Sequence, residues 1–171
     1  MKNLRMLIIT SLFFTSLLAN AANFDSSYTS IKSRDCTTLE ADRISSAQSC
    51  AEFSGIKVKV IENDLRQSIT LIRKDKEYPL DFFRTVTPAF SLLGSKIEWR
   101  YIKGQQKNLK GIIVRLKISE EVYQPPKTTS YLIVAKITAK NICVVGKISS
   151  QAKQNEKARR MLERSSKMPC L

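Results

Sequence analysis

The four cysteines of this 171-residue chain, Cys36, Cys50, Cys143 and Cys170, are its most reactive side chains, and the absence of any histidine decides what they do. Cysteine-rich zinc sites place their thiolates two to four residues apart, commonly with histidine partners, and this spacing does not. No Cys-x-x-Cys pair is present either, which argues against a thioredoxin-like redox site. An even number of well-separated cysteines reads as disulfides of an oxidising compartment. Four cysteines permit three pairings. The pairing of neighbours, Cys36 with Cys50 and Cys143 with Cys170, is preferred, each bridge adding about 3 to 4 kcal/mol by restricting the unfolded chain.

Other chemistry is poorly served. Without histidine, Ser-His and Cys-His nucleophile systems are excluded. Ser54-Gly55-Ile56-Lys57 and Ser150-Gln151-Ala152-Lys153 match Ser-x-x-Lys, but chance produces such matches in a chain rich in both residues. The companion Lys-Thr-Gly is missing; Lys127-Thr128-Thr129 lacks the glycine. Glu62 and Asp64 could pair as acid and base, yet their turn-like setting favours a backbone role. No phosphate-binding glycine loop occurs. No catalytic residue, metal ligand or cofactor is expected.

The elements that position these residues follow from apolar spacing. Residues 22–54 are rich in Ser, Thr, Asp and Asn without sustained periodicity, and read as an irregular segment pinned by Cys36–Cys50. Ile56, Val58 and Val60 then alternate with Lys57 and Lys59, as in a half-buried strand. A second strand follows the Glu62-Asn63-Asp64-Leu65 turn and runs to about Arg73. Residues 74–95, with two prolines and several phenylalanines, read as a long connection over one end of the core. Four further strands are expected around residues 97–101, 112–118, 131–138 and 142–148, with the extended Gln124-Pro125-Pro126 linker among them. Ser150 to Ser166 lacks Gly and Pro and is full of helix formers. The expected fold is α+β: about six strands in a mainly antiparallel, meander-like sheet with a C-terminal helix packed on it.

With the apolar set inward, the opposite strand face displays Lys57, Lys59, Arg100, Arg115, Lys117, Lys136 and Lys147. Ile61, Ile72, Ile102 and Ile113 share that face, so the helix should cover part of it. The remainder would be a basic surface, either solvated or a binding site for a polyanion. The helix is itself basic, but its apolar stripe (Ala158, Met161 and Leu162) is narrow and lacks Trp or Phe. It is expected to dock on its own sheet rather than on a membrane.

The address is written at the start. Met1 to Arg5 carries Lys2 and Arg5, the run from Met6 to Leu18 is apolar apart from four hydroxyl residues, and Ala19-Asn20-Ala21 is a small-x-small cleavage site. The run has 13 residues, against about 20 needed to span a bilayer. Residues 1–21 are therefore expected to be a signal peptide and 22–171 a single disulfide-stabilised domain. Losing Lys2 and Arg5 leaves 27 basic against 15 acidic residues, net +12.

Several stretches resemble a group of small exported, disulfide-containing proteobacterial proteins without an assigned activity. Among them are Tyr28-Thr29-Ser30-Ile31 ahead of Cys36, Gly55 to Val60 running into Glu62 to Arg66, and Gly94-Ser95-Lys96-Ile97-Glu98-Trp99-Arg100. Cys143-Val144-Val145 and the Ala158-Arg159-Arg160 helix closing at Cys170 complete the set. The resemblance implies export to the periplasm and the cysteine framework; this chain is the more basic. The expected role is that of a non-enzymatic envelope protein, binding or structural, with a basic surface. The expected partners are anionic envelope components or another envelope protein rather than nucleic acid. Alternatives are a secreted virulence or host-interaction factor and a small hydrolase without histidine chemistry.

Overall fold

The computed structural model describes residues 24–119 and 127–171. The expected signal peptide and the Gln124-Pro125-Pro126 linker lie outside the described residues. The chain forms β1 (Phe24–Ser30), β2 (Thr37–Ala41), β3 (Ser45–Phe53), β4 (Ile56–Asn63), β5 (Arg66–Arg73) and β6 (Lys76–Pro79). The short helix α1 (Phe82–Thr85) precedes β7 (Ser91–Ile102), β8 (Gln105–Ser119), β9 (Thr128–Ile137) and β10 (Ile142–Ser149), and α2 (Gln154–Glu163) follows.

This corrects the expected fold class. Ten strands, not about six, form one mixed sheet in the order β10-β9-β8-β7-β5-β4-β3-β2, with β1 on β7 and β6 on β5. The serine-rich segment expected to be irregular is β1, β2 and β3. Its alternation is invisible because β2 is wholly exposed and β3 mostly half-buried, so neither needs an apolar face. The connection from Lys74 to Ser95 likewise contains β6, α1 and the start of β7. Helix α2 does pack on the sheet, but Lys153 in a left-handed conformation and a last turn ending at Arg164 shorten it.

The sheet is not a simple meander because β7 changes neighbours along its length. Ser91 pairs in parallel with Arg66 of β5, whereas Lys96 to Ile102 pair antiparallel with β1. The two halves fold over one another and enclose a single core. Val58, Val60, Ile69 and Leu71 come from one half and Ile97, Trp99, Ile112, Val114, Leu116 and Ile133 from the other. A second, smaller cluster on the outer face of β8–β10 joins Ile113, Leu132, Val134 and Val145 to Ala158 and Leu162 of α2. Leu132 to Ile137 are therefore buried on both faces, which explains the apolar run Leu132-Ile133-Val134-Ala135 there and the burial of Lys136 beyond it.

Both expected disulfides are formed, Cys36–Cys50 and Cys143–Cys170. The first fixes the start of edge strand β2 to β3; the second returns the chain beyond α2 to β10. Such bridges belong to an oxidising, non-cytoplasmic environment. No helix among the described residues is long and apolar enough to cross a membrane.

Candidate functional site

The fork in β7 produces a concave, charged surface. Between Leu93 and Ile97 the register with β8 shifts, so that Gly94, Ser95 and Lys96 lie opposite Arg115 alone. Bulges of this kind bend a strand and interrupt its ladder, and are common beside functional sites. Here β1 ends as well: the Ile31 amide donates to the Ser95 carbonyl at 3.0 Å. Gly94 is required by space, because a Cβ there would stand 2.8 Å from that of Arg115.

Two clefts of about 310 and 520 Å³ meet over this bulge and share Gly94, Ser95 and Arg115. Together they make a groove whose cations are Lys32, Lys96, Arg115, Lys117 and Arg159, against the single carboxylate of Glu98. That carboxylate is occupied. Arg159 donates from Nε and Nη2 to its two oxygens at 2.6 and 3.2 Å, and the Ser26 hydroxyl donates to Oε1 at 2.6 Å. Arg159 also donates to the Tyr28 hydroxyl at 3.0 Å, and its pKa is raised above the ordinary arginine value, chiefly by the bond to Glu98. Arg115 is oriented by Ser130 Oγ at 2.7 Å and Gln154 Oε1 at 3.3 Å. Lys96 lies over the Tyr28 ring, 4.4 Å from its centroid. Uncompensated positive charge in a concave, partly desolvated surface is what an anionic ligand requires.

The seven basic residues expected to share one face are divided. Arg115 and Lys117 line the groove. Arg100 is buried beneath α2, with Nη2 donating to Glu163, Nη1 donating to Ser26 Oγ at 2.8 Å and Nε without a partner among the described residues. Lys136, also buried, donates to the Met168 carbonyl. Lys57 and Lys59 lie on β4 and pair with Asp75 at 3.6 Å and Glu77 at 2.7 Å. Lys147 donates to the Val86 carbonyl at 3.1 Å. The groove cations Lys32, Lys96 and Arg159 were not legible as site residues. The one available signal was Gly94-Ser95-Lys96, which breaks the alternation just before Ile97.

The residues weighed for catalysis are not assembled. Ser54 Oγ donates to the Gln106 carbonyl at 3.1 Å, while Lys57 faces Asp75. Glu62 accepts from Gln67 at 2.6 Å and Asp64 pairs with Arg66. Among the described residues no cluster of three potential metal ligands occurs. No protein-family model, no curated protein and no solved structure matches the chain.

Proposed function

We propose that the chain is a non-catalytic binding module of the exported compartment, periplasmic in a Gram-negative cell, that holds an anionic envelope component in the groove over the β7 bulge. The observation that carries this reading is the charge balance of the groove. Five cations surround it, and its only carboxylate is already spent on Arg159 and Ser26. The leader-like N-terminus and the two disulfides support the exported address. The non-catalytic part is supported by the structural partners that each weighed residue already has: the Gln106 carbonyl for Ser54, Gln67 for Glu62 and Arg66 for Asp64.

The test is a titration of the purified protein with heparin and with lipopolysaccharide across a salt series, beside a Lys96→Gln, Arg115→Gln, Lys117→Gln variant. Binding should weaken with salt and fall about tenfold or more in the variant, since each lost cation removes charge from one concave site. Equal binding by the variant would move the interaction to non-specific surface charge. Cell fractionation separates a periplasmic protein from a released one.

A further inference from the structure

The two ends of the sheet differ in a way that folding does not require. At one end the turns are Ser54-Gly55, Lys74-Asp75, Lys103-Gly104 and Ala139-Lys140-Asn141, all small or polar. At the other, Ile44 is 60%, Leu65 57%, Phe83 49% and Leu92 51% exposed, four of the seven large apolar side chains left open among the described residues. They form one patch. The Asp64 amide donates to the Ile44 carbonyl at 2.8 Å, and the Ser91 amide to the Leu65 carbonyl at 3.0 Å. The Arg66 guanidinium lies over the rings of both Phe83 and Phe90, at 5.6 and 4.6 Å.

Leu65 shows most clearly that the patch serves something other than stability. It occupies a left-handed position with φ of 59°, which favours Gly or Asn, and its side chain is turned into solvent. The equivalent positions of the hairpin turns at the opposite end hold Gly55 and Asp75. A polar residue at position 65 would relieve both costs.

We infer that this end docks on an anionic lipid surface, its apolar tips entering the interface. Three features select a bilayer over a folded protein partner. The apolar groups come from separate elements: Ile44 and Leu65 sit on two turns, Phe83 on α1 and Leu92 at the start of β7. The turn backbone is satisfied internally, as insertion demands: Asp42 accepts from the amides of Ile44 and Ser45, both at 2.8 Å. Among the described residues the charges around the tips leave a small positive excess. Asp64 pairs with Arg66 and Asp81 with Arg84. Arg43 and Lys117 stand exposed at the rim against Asp42, whose bond from neutral Ser45 leaves its charge in place. Exposed apolar groups beside cations are the combination that binds anionic lipid interfaces.

The test uses the exported protein, with loss of the leader verified by intact mass, and vesicles of phosphatidylcholine with or without phosphatidylglycerol. In Leu65→Trp, emission should shift to the blue on phosphatidylglycerol vesicles and be quenched by brominated acyl chains, whereas Trp99 is buried and serves as the unchanged background. Co-sedimentation should fall about tenfold or more in Leu65→Asn, Phe83→Ser, which removes two inserting groups. Unshifted emission, or undiminished sedimentation of the double variant, overturns the inference. So does concentration-dependent dimerisation that the double variant abolishes, because the patch would then serve a second copy. A Lys96→Gln, Arg115→Gln groove variant, which keeps the rim cation Lys117, should retain the acyl-chain quenching, so failure of either reading leaves the other standing.

Discussion

Phe53 at the end of β3 stacks on Trp99 in the middle of β7, ring centroids 5.2 Å apart and planes at 24°, and this contact joins the two halves of the folded sheet. Trp99 is fully buried, with its indole nitrogen donating to Thr29 Oγ1 at 2.9 Å. Phe53 has no hydrogen-bonding duty, so its removal tests packing alone. Phe53→Ala should cost about 2 to 4 kcal/mol, measured by urea unfolding followed through Trp99 emission. A loss under about 0.5 kcal/mol, the scale of a surface substitution, would show that the halves do not depend on this stack.

The parts of the fold legible in the sequence are those whose apolar residues keep to one face. Ile56-Lys57-Val58-Lys59-Val60 and Ile97-Glu98-Trp99-Arg100 alternate because the apolar face meets the core, although the charged face of the second is buried too, against α2; both are strands. Thr37 to Ala41 carries no such signal, since an edge strand exposed on both faces is held by backbone pairing and a disulfide instead. The outward cations misled for a related reason. Periodicity places Arg100 and Lys136 on the outer face, but only the path of the chain through α2 to Met168 shows that this face is covered there. The groove depends on a register shift, which alternation alone does not encode.

Close docking of α2 depends on Gly111. A Cβ at that position would lie 2.1 Å from the Ala135 carbonyl oxygen and 2.6 Å from Leu162 Cδ1, too near for side-chain adjustment to relieve. Gly111→Ala should therefore destabilise the domain by about 3 kcal/mol or more through overpacking. Amide exchange should show α2 opening more often. Exchange protection like that of the parent protein would show the helix can sit further out.

The β2–β3 turn is pH-dependent. Asp42 accepts from Ser45 Oγ at 2.7 Å and from two turn amides, and these bonds hold its carboxyl below the usual aspartate range, the Ser45 side-chain bond first among them. A depressed folded-state pKa contributes order that is complete above the unfolded value and is lost as pH falls through the folded one. The Ile44 and Ser45 amide resonances should thus move together on acidification, with a midpoint below about 3.9, the free aspartate value. A midpoint at or above that value would remove the carboxylate from the turn.

Cys143–Cys170 acts on a narrower region than its loop length implies. It ties the chain after α2 to β10, where the Leu171 amide also donates to the Val144 carbonyl at 3.0 Å and Lys136 to that of Met168. Replacing both cysteines by alanine should lower stability by up to about 4 kcal/mol. Exchange should rise chiefly in residues 154–171, with β4 and β5 keeping their protection relative to global unfolding. Uniform loss of protection, in step with stability, would make the bridge a global brace instead.

Glu98 links stability to the groove with opposite signs. Strand β7 presents Glu98 and Arg100, and α2 presents Arg159 and Glu163, so that each charge on one element meets its opposite on the other. Glu98→Gln retains the shape but weakens the bonds from Arg159 and Ser26, which should cost about 1 to 3 kcal/mol. Arg159 stays charged at neutral pH without Glu98, since an arginine titrates far above that range. The groove then carries one more uncompensated cation, and heparin affinity at low salt should rise about threefold while melting temperature falls. Loss of affinity in a folded variant would mean that Glu98 shapes the groove through Arg159 orientation more than it neutralises it. Arg159→Leu in the same background separates the two, because it removes the extra charge and should return binding to or below the parent level.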